Sequence, residues 1–194
     1  MRPLLVSICV LAVLAAPVRP RAEPAPSPAA SRDLATAQPS APSPEPTSPR
    51  LTGGASSIDE LIDRFVAALA SGDRDRVEGL RVTEAEYRSI LIPGSVKPGE
   101  PPQVLSEDGL EYFWAEMSQK SAAHRDAILA RFGKRALTPV RHSFEKGERE
   151  FAGYKAHERL VLVLRDDQGA EHELRTGSIV ERDGVFKFAS FIRD

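Results

Sequence analysis

The sequence has little cysteine and no excess of one charge. Its single cysteine, Cys9, lies in the apolar segment at the start of the chain. Removal of this segment would leave neither disulfides nor thiols, which excludes a disulfide-rich scaffold and cysteine catalysis. The formal net charge of −2 provides no broad basic surface for a phosphate backbone. We therefore expect no nucleic-acid partner.

Motifs of the common catalytic classes are also missing. The chain has neither a GxSxG turn nor a Walker-type or dinucleotide-binding glycine loop. Its four histidines, His124, His142, His157 and His172, share no metal-ligand spacing. His157 and His172 lie on strands predicted to pair, about six residue pairs or roughly 20 Å apart. We expect no metal site, no cofactor and no nucleophilic catalysis.

The first 16 residues have the pattern of a secretory signal peptide. Arg2 precedes an apolar run from Leu4 to Ala16, which ends in small residues. A transmembrane anchor is the alternative, but the run is shorter than the roughly 20 residues that cross a bilayer. We therefore expect cleavage after about residue 16, export to the periplasm or the extracellular space, and no stable membrane insertion afterwards.

Residues 17–55 are predicted to be a disordered linker. The stretch from Pro17 to Arg50 is mostly Pro, Ala, Ser and Thr and holds ten of the sixteen prolines. Such a composition cannot bury enough apolar surface to offset the entropy lost on ordering. The linker is either a spacer that reaches out from a membrane or wall, or an unselected low-complexity segment. The folded domain is expected over residues 56–194.

Helical signals open this domain. Ser57 and Glu60 form a capping-box pattern before an apolar stripe. Gly72 is suited to end this first helix in the left-handed conformation, and Asp73 to cap a short second helix. A further capping box at residues 83–86 opens a third helix that ends near Pro93.

A long helix is predicted from Ser106 to Gly133. Its apolar positions keep three-and-four spacing, but Ser121 and His124 interrupt the stripe with polar side chains. Two interpretations remain open at this point. Either the helix rotates out of the core there, or the two side chains line the wall of a polar pocket.

After the long helix, apolar residues recur at every second position, which is typical of β-strands. This pattern predicts four strands, in "LTPVRHSF", "ERLVLVLRD", "ELRTGSIV" and "VFKFASFI". The Asp183-Gly184 turn sets Arg182 opposite Val185 and Ile179 beside Phe188. That side is the expected core face. The other side is expected to carry three leucines whose exposure would favour a homodimer: Leu160, Leu162 and Leu164.

These elements predict an α+β fold. N-terminal helices and one long helix are expected to pack on a curved, mainly antiparallel four-stranded sheet, forming a cone-like roll.

Two stretches carry a family resemblance. The segment "AALASGDRDRV" at residues 67–77 resembles the first-helix hinge of the nuclear-transport-factor-two-like (cystatin-like roll) superfamily, and the closing "RDGVFKFASFIRD" is similar to its last hairpin. The resemblance implies a cavity between sheet and helices and frequent dimerisation. Members range from ketosteroid isomerases and polyketide cyclases to binding modules. The chain departs from the pattern at "PGSVKPGEPPQ", where a strand or hairpin usually precedes the long helix.

Four residues are candidates for contact with a ligand: Tyr87, Trp114, His124 and His142. His142 alternates with Val140 and Phe144, so it is expected to point toward the helices and to be largely removed from water. It would then be either a neutral core histidine or the base of a cavity enzyme.

The sequence therefore favours an exported, non-enzymatic module that binds a small apolar ligand or a partner protein. A cavity enzyme of isomerase or cyclase type is the alternative, and a purely structural dimer is the third.

Overall fold

The structure, a computed structural model, describes residues 48–193. The predicted signal peptide and most of the predicted linker lie outside these residues. Within the described part of the chain, no helix is both long and apolar enough to span a membrane. Helices come first and strands follow, so the predicted α+β class is confirmed.

Two helices meet at the predicted hinge. Helix α1 covers Ile58–Ser71 and helix α2 covers Arg74–Glu78. Gly72 ends α1 with a φ of 66°, a conformation that costs glycine little. The Asp73 carboxylate accepts hydrogen bonds from the first amides of α2. Both predicted caps are confirmed, and the chain bends at this point.

The capping box predicted at Ser57 and Glu60 forms only in part. The Ser57 hydroxyl accepts the Glu60 amide hydrogen bond. The Glu60 carboxylate turns instead to Ser56, which donates its backbone N–H at 2.7 Å and its hydroxyl at 2.6 Å. These bonds lower the pKa of Glu60 to about 2. Glu60 thus ties the preceding chain to the first turn of α1.

The third helical segment is irregular. It contains α3 (Glu84–Glu86), a π-helical turn (Tyr87–Leu91) and α4 (Ile92–Gly94). The predicted capping box is complete, because the Thr83 side chain accepts from the Glu86 amide and the Glu86 carboxylate accepts from the Thr83 amide. The segment ends where the proline-rich connection begins.

The long helix, α5, covers Glu107–Phe132 and is capped by Ser106 as predicted. Ser121 is fully buried, and its Oγ accepts the Phe191 backbone N–H at 3.0 Å. The helix therefore stays against the core at Ser121. Ser121, one of the two polar residues that interrupt the apolar stripe, thus binds the C-terminal segment of the chain.

The sheet has five strands rather than four, because the predicted strand "ELRTGSIV" is divided in two. Strand β2 pairs with β1 along one edge and with both β3 and β4 along the other, and β4 pairs with β5. All of these pairs are antiparallel. The strands are β1 (Leu137–Glu150), β2 (Lys155–Asp166), β3 (Glu171–Arg175), β4 (Ile179–Arg182) and β5 (Val185–Phe188).

The register predicted for the last hairpin is confirmed. Arg182 pairs with Val185 and Ile179 with Phe188. The outer edge of β5 is covered, because Ala55 exchanges two backbone hydrogen bonds with Phe186 and Arg81 forms a bridge to Phe188.

Three leucines of β2 lie on the opposite face from the predicted one. Leu160, Leu162 and Leu164 are fully buried, in the same core as Ile179 and Phe188. The expectation of an exposed leucine row was wrong. The homodimer expected through these leucines has no surface on which to form.

An irregularity in the middle of β2 explains the difference. Arg159 has a positive φ of 61°, and the β1 register shifts at the same level, between Phe144 and Gly147. His157 pairs with the core residue Ile179, while Leu162, five positions later, is itself in the core. In a regular strand, two side chains five positions apart point to opposite faces of the sheet. The irregular residue Arg159 therefore reverses the alternation of side chains in the rest of β2.

Aromatic side chains fill the space between the helices and the sheet. The Phe65 ring centre lies 4.9 Å from that of Phe188 and 6.0 Å from that of Phe191, and Phe132 is buried in the same cluster. The space in which the family resemblance implies a cavity is thus occupied by these rings. A second cluster packs Tyr87 against Val180 on the other face of the sheet.

The folded domain begins before residue 56. Leu51 and Ala55, which the sequence analysis assigned to the linker, are both buried. Leu51 belongs to the second cluster, and Ala55 pairs with β5. The C-terminal end of the predicted linker, from Leu51 to Ala55, therefore belongs to the folded domain.

Candidate functional site

The four predicted ligand-binding residues do not form one site. Tyr87 and Trp114 are in contact, with ring centres 5.3 Å apart. His124 lies further along α5, in a groove beside β3. His142 lies on β1, with its Nδ1 3.6 Å from the Asp59 carboxylate. The structure therefore separates these residues into three places.

His142 is not removed from water. Its position opposite Leu162 places it on the helix side of the sheet, as the alternation predicts. The side chain nevertheless stays 31% exposed, because it lines an open surface pocket together with Asp59 and Ile62 of α1. The expectation of a largely buried His142 was wrong, and the enzyme hypothesis loses the enclosed base that it required.

Tyr87 and Trp114 belong to a structural cluster. The Arg81 guanidinium carbon lies 4.7 Å from the centre of the Trp114 ring, and Arg81 is only 6% exposed. Its Nη2 lies 2.6 Å from Glu78 Oε1. Arg125 contacts the other oxygen of Glu78 at 2.8 Å. These contacts join α2 to α5, which accounts for the burial of the two arginines.

A further histidine, His157, is buried but was not among the candidates. Its Nε2 lies 3.1 Å from Glu181, and its Nδ1 lies 3.2 Å from Glu148 without hydrogen-bond geometry. The ring contacts Phe144 and Phe186. Among residues 48–193, no group of three or more His, Cys, Asp or Glu side chains is arranged to hold a metal ion.

A candidate site that combines apolar and charged side chains is an open groove of about 440 Å³ between α5 and β3. We call it the α5–β3 groove. Ile128, Phe132 and Leu174 form its apolar floor, and all three are largely buried. Ligand pockets typically occupy roughly 300–1,000 Å³, so the groove has room for a small molecule or a few residues of a peptide.

Three arginines from three elements surround this floor: Arg131 of α5, Arg175 of β3, and Arg193 near the chain end. His124 also lines the groove. It lies one turn before Ile128 and two turns before Arg131, so helical spacing places these side chains along one face of α5. His124 thus lies at the wall of this groove, whereas Ser121 is buried against the C-terminal segment.

The arginines differ in how far their charge is balanced. Arg175 forms ion pairs with Glu173 and Glu145. The Arg131 guanidinium lies over the Phe132 ring, 4.8 Å from its centre. Neither Arg131 nor Arg193 forms an ion pair with another residue of the described range 48–193. The groove therefore combines an apolar floor with two arginines that form no ion pair among residues 48–193.

Sequence reasoning missed these arginines because they are far apart in the chain and follow no shared spacing. An indirect signal was present in Ser121 and His124, which interrupt the apolar stripe of α5 on the turns before the groove. Of these two residues, only His124 lines the groove. The interruption gave no indication that β3 and the chain end would lie opposite.

The comparisons with known proteins add no assignment. Neither the family models, nor the curated proteins, nor the solved structures include a match to this chain.

Proposed function

We propose that the protein is an exported, non-enzymatic binding module, and that its α5–β3 groove binds an anionic ligand with an apolar portion. The observation that carries the proposal is the convergence of Arg131, Arg175 and Arg193 on the floor formed by Ile128 and Phe132. Guanidinium groups bind carboxylates and phosphates through charge-assisted hydrogen bonds. The floor contributes through burial of apolar surface.

The proposal keeps the resemblance to the nuclear-transport-factor-two-like superfamily and its cone-like roll, but it moves the binding site. Phe65, Phe188 and Phe191 occupy the interior where a cavity was expected. The groove is open at the surface, and its glutamate, Glu173, is ion-paired with Arg175. An open groove of this kind favours binding over a reaction that needs a general base enclosed away from water.

A charge comparison at constant chain length tests the proposal. Dodecanoate and dodecyltrimethylammonium below their micelle concentrations, and dodecanol below its solubility limit, are titrated into the full chain by calorimetry. We expect dodecanoate to bind most tightly. Arg131→Gln and Arg193→Gln should each weaken its binding about tenfold, because a charge-assisted hydrogen bond contributes on the order of 1.5–3 kcal/mol.

The matched control is Arg149→Gln, which removes an arginine of β1 that does not line the groove. This variant should bind dodecanoate like the wild type. Equal affinity for dodecanoate and dodecanol, or equal losses in the control and groove variants, would contradict the proposal.

A further inference from the structure

One edge of strand β3 has no partner strand within residues 48–193. β3 pairs with β2 from Arg175 opposite Val161 to Glu171 opposite Arg165. On its other side, the chain that follows β5 lies beside Gly177 and Thr176 and reaches the groove at Arg193, but within the described residues it forms no backbone hydrogen bond with Glu171–Arg175. The outer edge of β3 (Glu171–Arg175) therefore has no hydrogen-bonded partner strand among the described residues. Such an edge carries unpaired backbone N–H and C=O groups, which can accept another strand.

The α5–β3 groove runs along this edge. Three successive residues of β3 line it, namely Glu173, Leu174 and Arg175. Successive side chains of a strand point to opposite faces, so a groove that contacts all three lies against the edge of the strand rather than one face. Helix α5 forms the other wall through Ile128 and Arg131. The groove is therefore a slot between a helix and an open strand edge.

The chemistry of the slot restricts what can enter it. An added strand presents alternate side chains to one side, two residues apart. On one side the slot offers the apolar residues Ile128 and Phe132. At the rim it offers Arg131 and Arg193, the two arginines without an ion pair among the described residues. Charge complementarity thus selects a segment in which apolar and acidic residues alternate.

We propose that an extended segment of a partner protein, with alternating apolar and acidic residues, adds to β3 as an extra strand in the α5–β3 groove. This inference rests on the function proposed above, the binding of an anionic ligand in the α5–β3 groove, and it identifies that ligand as a peptide segment. Backbone hydrogen bonds to the β3 edge hold the segment, its apolar side chains lie on the floor, and its carboxylates pair with Arg131 and Arg193. Five residues of strand span about 17 Å, which sets the length of the contact.

The test uses a peptide of three glutamate–valine repeats and two of its derivatives, titrated into the full chain. One derivative carries N-methyl groups on the glutamate amides, the other on the valine amides. A strand that is added at an edge uses only every second N–H for pairing. We expect one derivative to bind at least tenfold more weakly than the parent peptide, and the other to bind within about twofold of it.

Hydrogen exchange gives a second measurement on the same complex. Amides of residues 171–175 should become protected when the parent peptide binds, because half of their N–H groups gain a partner. A lysine–valine peptide should neither bind nor protect them. Arg131→Gln should weaken binding of the parent peptide about tenfold, and Arg149→Gln should leave it unchanged.

The outcomes separate this inference from the proposed function. If the peptide binds in an arginine-dependent way but both methylated derivatives bind equally well, strand addition is refuted and the anionic groove stands. If neither the peptide nor dodecanoate responds to Arg131→Gln, both proposals fail. If residues 171–175 are already protected and the chain sediments as a dimer without peptide, a second copy occupies the edge and the inference is overturned.

Discussion

The buried ion pair between Glu86 and Lys187 is expected to control the stability of the domain. Glu86 is 5% exposed and Lys187 is 2% exposed. Lys187 Nζ donates to Glu86 Oε2 at 2.7 Å and to the Thr52 carbonyl at 3.0 Å. Glu86 also accepts the backbone N–H groups of Thr52 and Thr83, each at 2.7 Å. The pair thus joins the start of the domain, the α3 cap and β5.

Lys187→Met removes the cation and leaves the Glu86 carboxylate buried. Loss of one partner of a buried ion pair costs about 3–5 kcal/mol, because the remaining charge is neither solvated nor paired. A domain of this size has a free energy of unfolding of roughly 5–15 kcal/mol, so the variant loses a large part of it. At about 2–4 °C per kcal/mol, the Tm should fall by on the order of 10 °C.

The double variant, Glu86→Gln with Lys187→Met, distinguishes the contribution of the ion pair to the free energy of unfolding from that of side-chain packing. Glu86→Gln alone leaves Lys187 buried without its counterion and should cost a similar amount. In the double variant neither position of the pair carries a charge, so its loss of stability should be smaller than the sum of the single losses. Coupling energies of about 0.5–3 kcal/mol are usual for residues in one network.

The effect of Lys187→Met should also depend on pH. Burial opposes ionisation of Glu86, but hydrogen bonds from Lys187, Thr83 and Thr52 outweigh it and hold its pKa below the ordinary value of 4.5. A carboxyl whose pKa is lowered by folding stabilises the fold above its unfolded pKa, and this contribution is lost as pH falls through the folded value. The difference between wild type and variant should therefore shrink below pH 4.5.

Urea unfolding of both chains between pH 3 and 7 measures these quantities. Lys155→Met is the control, because Lys155 is a more exposed lysine in ion pairs with Glu148 and Glu150. Such pairs contribute about 0–1 kcal/mol. A loss below about 1 kcal/mol for Lys187→Met, or a difference that does not change with pH, would refute the reasoning.

Two further substitutions test the assigned positions of β2 and β1. Leu162→Glu should unfold the domain or destabilise it by more than about 4 kcal/mol, because it buries an unpaired charge in the core. A folded circular dichroism spectrum together with a wild-type urea midpoint would contradict this. His142→Phe should change the free energy of unfolding by less than about 1 kcal/mol, since the side chain is partly exposed. A loss above 2 kcal/mol in urea unfolding would show that His142 is enclosed after all.

The helix boundaries could be predicted because they depend on neighbouring residues. Ser106 caps α5, Gly72 ends α1 and Asp73 caps α2, each through hydrogen bonds or dihedral angles within a few residues. The hairpin register followed from Asp183 and Gly184 for the same reason. Such features need no knowledge of what lies across the core.

The sheet faces could not be predicted in the same way. Alternation along "ERLVLVLRD" gives two apolar faces, and nothing in the segment marks Arg159 as the residue that breaks the alternation. Two strands that pair with β2 show the same reversal of alternation. Leu174 of β3 and Ile179 of β4 are both in the core, although they are five positions apart. Only the pairing of the strands decides which set of residues is buried.

The position of the C-terminal segment links the filled interior to the surface groove. Ser121 accepts the Phe191 amide, and Thr176 donates its hydroxyl to the Phe191 carbonyl. Gly177 lies so close to this segment that an added Cβ would be 2.1 Å from the Ser190 carbonyl oxygen. These contacts hold the Phe191 ring among the core phenylalanines. The chain then reaches the groove two residues later, so the interactions that fill the interior also bring Arg193 to the groove that Arg131 lines.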